Sequence, residues 1–358
     1  MEFGILFTSH PNTDAEPYPH RDVHARVTRE ILRADEIGFD IAWIAEHHFS
    51  NEYGIMPDVF VYAGYLAALT RRIKIGTAVV TLPLANPLRV AENAAFIDIL
   101  SNGRFVLGLG SGYRKYEFDG FGIDFEARRE IQEEALPLLI ELFHNKRSDH
   151  RGTHFNVKVD GAYELFPHGL QQPHPPIFLA GATDRSIAAA GRMGFGLLLS
   201  TWTPFEELAR QVATYRTALD DTPPQLRANP ARGHVDIARY VYVAETDAQA
   251  RRDSESVIMR HLKHFSSGHT SGYLGTVSQG GATSQRNYDT LLRDIILHGS
   301  PATVIEKIER LEAMTGAASL MLHYPPWYGV EKALASLEMF AGEVIPKFRP
   351  PQPARMRA

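Results

Sequence analysis

The stretch WIAEHHFSNEYG, residues 43–54, closes an apolar run with Glu46, His47 and His48. Three such neighbours suit metal binding, proton transfer or plain hydrogen bonding at a strand end. If DIAWIA is a strand, adjacent side chains point to opposite faces, so His47 and His48 do not readily ligate one metal together. No HExxH spacing and no cysteine partner supports zinc. A neutral imidazole, with an ordinary pKa of about 6.5, exchanges protons near neutrality, and a carboxylate beside it can hold its tautomer. The residues therefore leave two readings open: one histidine as base with the other as structural partner, or two hydrogen-bonded strand-end histidines.

Other stretches also carry candidate chemistry. GLGSGYRKYEFDGFG, residues 108–122, has glycines spaced G-x-G-x-G, not the G-x-G-x-x-G that opens a dinucleotide-binding helix. Its better reading is a backbone that a ligand can approach closely, with Ser111 and Arg114 able to contact anions. In FLAGATDRSIAAAG, residues 178–191, a strand ends at Gly181-Ala182, and Thr183, Asp184 and Ser186 open a small-residue helix. Amide donors at that helix start suit a phosphate, and an ordinary N-cap by Thr183 or Asp184 explains the same residues. Asn86 before Pro87 reads as a second N-cap. Tyr324 and Trp327, after the last apolar run, suit either a wall for a ring-shaped ligand or core packing.

Positioning these groups falls to eight apolar runs separated by helical patterns: FGILFT, DIAWIA, IKIGTAVVTL, RFVLGLG, PIFLAG, GLLLST, IARYVYV and SLMLHY. Most are continuous rather than alternating, as parallel strands buried on both faces are. Helical stretches such as DVHARVTREILRADEIG, with Val27, Ile31, Leu32 and Ala34 on one face and Gly38 as stop, lie between them. Strict alternation favours a closed (β/α)8 TIM barrel over an open doubly wound sheet, and places strand carboxyl ends, including Glu46, His47 and His48, on the catalytic face. The expected unit is one barrel over residues 1–348, with insertions after strands 4 and 7 and a flexible tail at 349–358. The first insertion, 144–175, is polar and suits a small hairpin; the second, 266–290, is rich in Gly, Ser and Thr and suits a mobile lid.

The composition narrows the function classes. The chain has 44% hydrophobic and 22% charged residues, as an ordinary globular protein does, and a net charge of -5 with no basic stripe for nucleic acid. With Cys 0 there are no disulfides, thiolate nucleophiles or sulfur-ligated metals. MEFGILF lacks the pattern of a secretory signal, and no apolar run suits a membrane span, so a cytoplasmic enzyme of small-molecule chemistry is expected.

Several ordered blocks carry a family resemblance: FGILF, GFDIAWIAEHHF, IGTAVVTLPLANPLRVAEN, LSNGRFVLGLGSGYRKYEFDGFG, HPPIFLAGAT and LEMFAGEVIPKF. Together the chain resembles the bacterial luciferase-like, flavin-dependent monooxygenases over nearly its whole length. The resemblance implies a (β/α)8 barrel that takes reduced FMN from a separate flavin reductase and, through a flavin 4a-peroxide, oxygenates a small, largely apolar molecule. It assigns proton transfer to His47, support to His48, and a place near the flavin to Glu46. It places a non-proline cis peptide at Ala78-Val79 under the isoalloxazine. The phosphate falls to Thr183 and Ser186 with the backbone of Ala180, Gly181 and Ala182. Ser111 stands where the family presents an arginine, and Arg114, beside Tyr113, is the expected substitute. The resemblance further implies a homodimer built on the helices after the second and third strands. A deazaflavin-dependent hydride-transfer enzyme on the same barrel and a non-catalytic flavin-binding protein are the competing readings.

Overall fold

The computed structural model describes residues 1–50, 53–266 and 286–349. Its apolar runs become eight parallel strands: β1 (Glu2–Phe7), β2 (Ile41–Ile44), β3 (Lys74–Thr77), β4 (Phe105–Gly110), β5 (Ile177–Ala180), β6 (Gly196–Leu199), β7 (Val235–Val243) and β8 (Ser319–His323). Each pairs with the next, β8 pairs with β1, and the sheet closes as a barrel. Helices α1 (Pro19–Ile37), α2 (Val59–Leu69), α3 (Pro87–Leu100), α4 (Lys115–Phe121), α5 (Arg128–Asn145), α6 (Asp184–Arg192), α7 (Phe205–Leu219) and α8 (Asp247–Ser266) intervene. The expected (β/α)8 architecture is the one observed.

Local chemistry sets the helix ends. Gly38 stops α1 at φ 101°, a left-handed position that costs glycine little. The Asp58 carboxylate accepts from the Phe60 and Val61 amides at the start of α2, and Asn86 accepts from the Leu88 amide ahead of α3. On α1, Val23, Val27, Ile31 and Ala34 are buried, whereas Leu32 borders an outer groove instead of the core.

The barrel interior is filled around Trp43, which meets Phe178 edge-on at 5.4 Å and packs with Val106, Leu198 and Met321. Gly76 makes room for that indole: a Cβ there would lie 2.4 Å from the Trp43 ring. Trp43 Nε1 donates to Asp236 Oδ2 at 3.0 Å, so the one polar atom of the indole is satisfied by a fully interior carboxyl.

One run departs from its sequence reading: IKIGTAVVTL is not one strand, since β3 ends at Thr77 and a short strand at Val80–Thr81 follows the cis Ala78-Val79 peptide. After β2, His47–Ser50 pairs antiparallel with Gly54–Met56.

The insertion at 144–175 contains the expected hairpin, Ser148–Arg151 against Asn156–Val159. It follows α5, however, and enters β5 from the amino-terminal face. Gln171 fastens it there to Asp98 at the end of α3 and to the Phe105 carbonyl at the start of β4. An αβ connection lies on the face opposite the catalytic one, and no insertion residue lines the central cavity. Residues 267–285 of the expected lid and 350–358 of the expected tail lie outside the described residues. Arg349 does not hang free, because it pairs with Asp40 and donates to the Gly38 carbonyl at 3.0 Å.

Burial pushes the Asp236 carboxyl up to about 7, while the nearby Ser319 hydroxyl and the hydrogen bond from Trp43 pull the other way. A carboxyl whose folded pKa is raised is harmless below its unfolded value, and its penalty grows as pH rises from about 4 to about 7. Asp236→Asn, which cannot ionise, should therefore gain melting temperature relative to the parent across that window. Thermal unfolding at pH 4.5 and pH 8 checks this: the variant's relative stability must be higher at pH 8.

Candidate active site

The residues that opened the sequence reading sit just beyond β2, where the short His47–Ser50 ladder alternates its side chains. His47 turns into the barrel mouth and His48 turns away, as strand geometry requires. The His47 Nδ1 lies 3.2 Å from Glu117 Oε1, and the same oxygen accepts from the His48 amide at 3.0 Å. The His48 Nε2 lies 3.0 Å from Glu46 Oε1, and its ring packs on Phe121. Two carboxylate–imidazole pairs thus stand back to back. Among the described residues no group of histidines and carboxylates could hold a metal ion.

Electrostatics separates the two members of the inner pair. Burial, and then the charge of Arg114, push His47 down to about 4, against the pull of Glu117. Glu117 is 2% exposed, yet the hydrogen bonds from His47 and the His48 amide outweigh burial and hold it below its ordinary value. The pair is therefore an ionised Glu117 and a neutral His47 that donates Nδ1–H and keeps Nε2 as a lone-pair acceptor. Glu46 goes the other way: burial raises it, only partly offset by His48.

His47, Glu46 and Glu117 line a cavity of about 280 Å³ at the strand carboxyl ends. Ala78, Val79, Ser111, Tyr113, Ala180, Gly181, Ala182, Thr183 and Ser186 line it too, so most of the residues singled out in the sequence converge. His48 and Arg114 do not line it. A wider groove of about 1290 Å³ crosses α1 and α2 outside the barrel and contains none of the singled-out residues.

Arg114 is the main displacement from expectation. It is 1% exposed, stacked over the Tyr53 ring at 4.0 Å, with its guanidinium donating to the Tyr116 and Tyr113 hydroxyls. From there its charge acts on His47. The basic groups on the cavity wall are instead Arg128 and Arg129 at the start of α5 and Arg185 on α6. Between the alternatives for α6, Thr183 is the N-cap: its hydroxyl and that of Ser186 form a reciprocal capping box, whereas Asp184 pairs with Arg210.

Sequence reasoning missed Glu117, Gln132 and His323. Glu117 was in view inside the glycine-rich stretch, but its partnership with residues 69 and 70 positions away carries no local signal. Tyr324 and Trp327 were offered as a ring wall, and it is the preceding His323 that lines the cavity; Trp327 packs edge-on against His10 at 4.8 Å.

A family model described as luciferase-like monooxygenase matches residues 1–318. The chain is 26% identical to limonene 1,2-monooxygenase of Rhodococcus erythropolis, over 100% of this chain and 89% of that one. It is 26% identical to the oxygenase component of the flavin-dependent trigonelline monooxygenase of Acinetobacter baylyi, covering 88% and 87%. A match to an uncharacterized protein of Sinorhizobium fredii reaches 36% identity but spans about half of each chain, 48% of both. Among solved structures, the oxygenating constituent of the 3,6-diketocamphane monooxygenase of Pseudomonas putida, in complex with FMN, superposes with a TM-score of 0.79 at 22% identity over 98% and 99% of the chains. That likeness concerns the fold.

The Glu117 carboxylate sets the tautomer of His47, so nitrogen-15 histidine spectra should show Nε2 bare at pH 7 and no protonation of His47 until the pH approaches about 4. In Glu117→Ala, which removes the acceptor of Nδ1–H, the proton should no longer be confined to Nδ1 and the Nε2–H tautomer should appear. A His47 that titrates near its ordinary value, or a tautomer unchanged in the variant, contradicts the assignment.

Proposed function

Since the chain belongs to the luciferase-like monooxygenase family, we propose that it is the oxygenase of a two-component system. It would take reduced FMN from a flavin reductase in the cytoplasm and insert one atom of dioxygen into a small, largely apolar molecule. The observation that carries this reading is the division of the cavity. Ala78 and Val79 line it with apolar side chains on the β3 side. Farther round, beyond β4 and β5, Arg128, Arg129, Thr183 and Ser186 form a basic, hydroxyl-lined end suited to a phosphate. Burial and the neighbouring Arg129 charge depress Arg128, a crowding of cations that an anion relieves. Gln132 Nε2 lies buried at the same end with no partner among the described residues. The residues present therefore fit FMN: Ala78 and Val79 would hold its ring, Thr183 and Ser186 would turn their hydroxyls to its phosphate, and Ser111 would contact the chain between.

Bound reduced FMN would supply the electrons that activate dioxygen. The protein's own part is to hold a proton acceptor at His47 Nε2, keep that imidazole oriented through Glu117, and exclude water with Leu6, Leu198 and Met321. Glu46, made more basic by burial, stands within the same cavity, and His48 fixes its carboxylate. No helix of the described residues is long and apolar enough to cross a membrane. Val61, Tyr65 and Leu69 on α2 and Phe96 and Leu100 on α3 are exposed, an apolar face that suits the same face of a second copy.

Riboflavin, which lacks the phosphate, should bind at least about tenfold more weakly than FMN in fluorescence titrations, and a deazaflavin should bind no better than FMN. His47→Ala should lose coupled oxygenation by roughly a hundredfold or more, with oxygen released as hydrogen peroxide; full coupled turnover in that variant defeats the role given to His47. Sedimentation velocity should find a dimer, and Val61→Glu combined with Phe96→Glu should shift it towards monomer.

A further inference from the structure

The wall facing the FMN side belongs to β7, β8 and β1: Leu6, Thr8, Ala238, Met321 and His323. Among the described residues that line the cavity, buried side-chain atoms without a hydrogen-bond partner occur on Gln132 and on His323. One stands on each wall, as two ligands would require. The His323 imidazole is 2% exposed, its Nδ1 has no partner, and it makes no hydrogen bond to any described residue. Packing alone orients it: the ring stacks on Tyr240 at 4.8 Å and meets His261 edge-on at 6.0 Å. The Tyr240 hydroxyl is already bonded to His261 Nε2 at 3.0 Å. A buried polar group is normally satisfied, and leaving one unpaired costs stability, so the unspent capacity of His323 points to a ligand.

Charge limits what that ligand is. Among the described residues no carboxylate, lysine or arginine belongs to this wall, and burial pushes His323 down to about 3, leaving it neutral. Behind it, burial above all holds His10 and His261 well below their ordinary value, with the neighbouring imidazoles and, at His10, Arg26 and Arg114 opposing a further positive charge. An ion bound here would lose its hydration with no counter-charge to replace it.

We propose that this wall is the substrate subsite and that it selects an uncharged, mainly apolar molecule presenting one oxygen that accepts a hydrogen bond from His323. The assignment rests on the reading that the opposite wall holds FMN. His323 is here a specificity residue that touches substrate, distinct from the proton acceptor His47.

The test is direct binding, by ligand-observed NMR and calorimetry on the full chain with and without FMN, of four matched probes: cyclohexanone, methylcyclohexane, cyclohexanecarboxylate and cyclohexylammonium. Cyclohexanone should bind about tenfold more tightly than each of the others. His323→Phe keeps the ring that stacks on Tyr240 and removes both nitrogens, so the ketone-to-hydrocarbon ratio should fall to about one. In the parent, the nitrogen-15 signal of His323 should move on adding the ketone and stay on adding the hydrocarbon, a readout that a structural histidine would not give and that needs no variant. Equal binding of ketone and hydrocarbon, preference for either ion, a silent His323 signal, or binding of none of the four overturns the inference. FMN titration is read separately: failure to bind FMN removes the flavin assignment, while the probe ratio still decides the role of His323.

Discussion

One buried carboxylate organises the barrel mouth. Glu117, in the first turn of α4, accepts from the His47 ring and from the His48 amide. Those two bonds tie the segment leaving β2 to the segment leaving β4, neighbours in the barrel only at one remove. A carboxylate so deeply buried persists in ionised form because both donors face it, and the nearby Arg114 guanidinium adds an opposite charge. Burial and Arg114 keep His47 neutral against the pull of that carboxylate, while its position fixes which ring nitrogen carries the proton and which is left free.

The rest of the site follows from closing the sheet. Strand order places β3, β4 and β5 on one side of the mouth and β7, β8 and β1 on the other. One side therefore presents the apolar Ala78 and Val79 and the arginines of α5 and α6, and the other presents Leu6, Thr8, Ala238 and Met321 with the His323 imidazole. Arg114 contributes by being elsewhere. Stacked on Tyr53 and bonded to two phenols, it biases the protonation of His47, while Arg128 and Arg129 are the arginines of α5 that line the cavity.

Below the mouth, Trp43 and Asp236 fill the barrel, and the glycines of β3 and β4 make that filling possible. A Cβ at Gly108 would lie 1.9 Å from the Thr77 carbonyl oxygen, so β4 can approach the end of β3 only without a side chain there. The same approach brings Ser111 and Tyr113 to the cavity.

What the sequence determined by itself were features with local causes. Continuous apolar runs alternating with helical periodicity set the barrel, Gly38 and Asn86 set helix ends, and strand alternation separated His47 from His48, because each depends on residues within a few positions of one another. The resemblance of whole blocks reached further, to the cis peptide at Ala78-Val79. Tertiary structure alone decided the pairing of His47 with Glu117, the retreat of Arg114 among tyrosines, the amino-terminal placement of the 144–175 insertion, and the arrival of Gln132 and His323 at the cavity. These join residues far apart in the chain, and only closure of the barrel fixes which distant side chains share one volume, how dry that volume is, and which charge each group carries there.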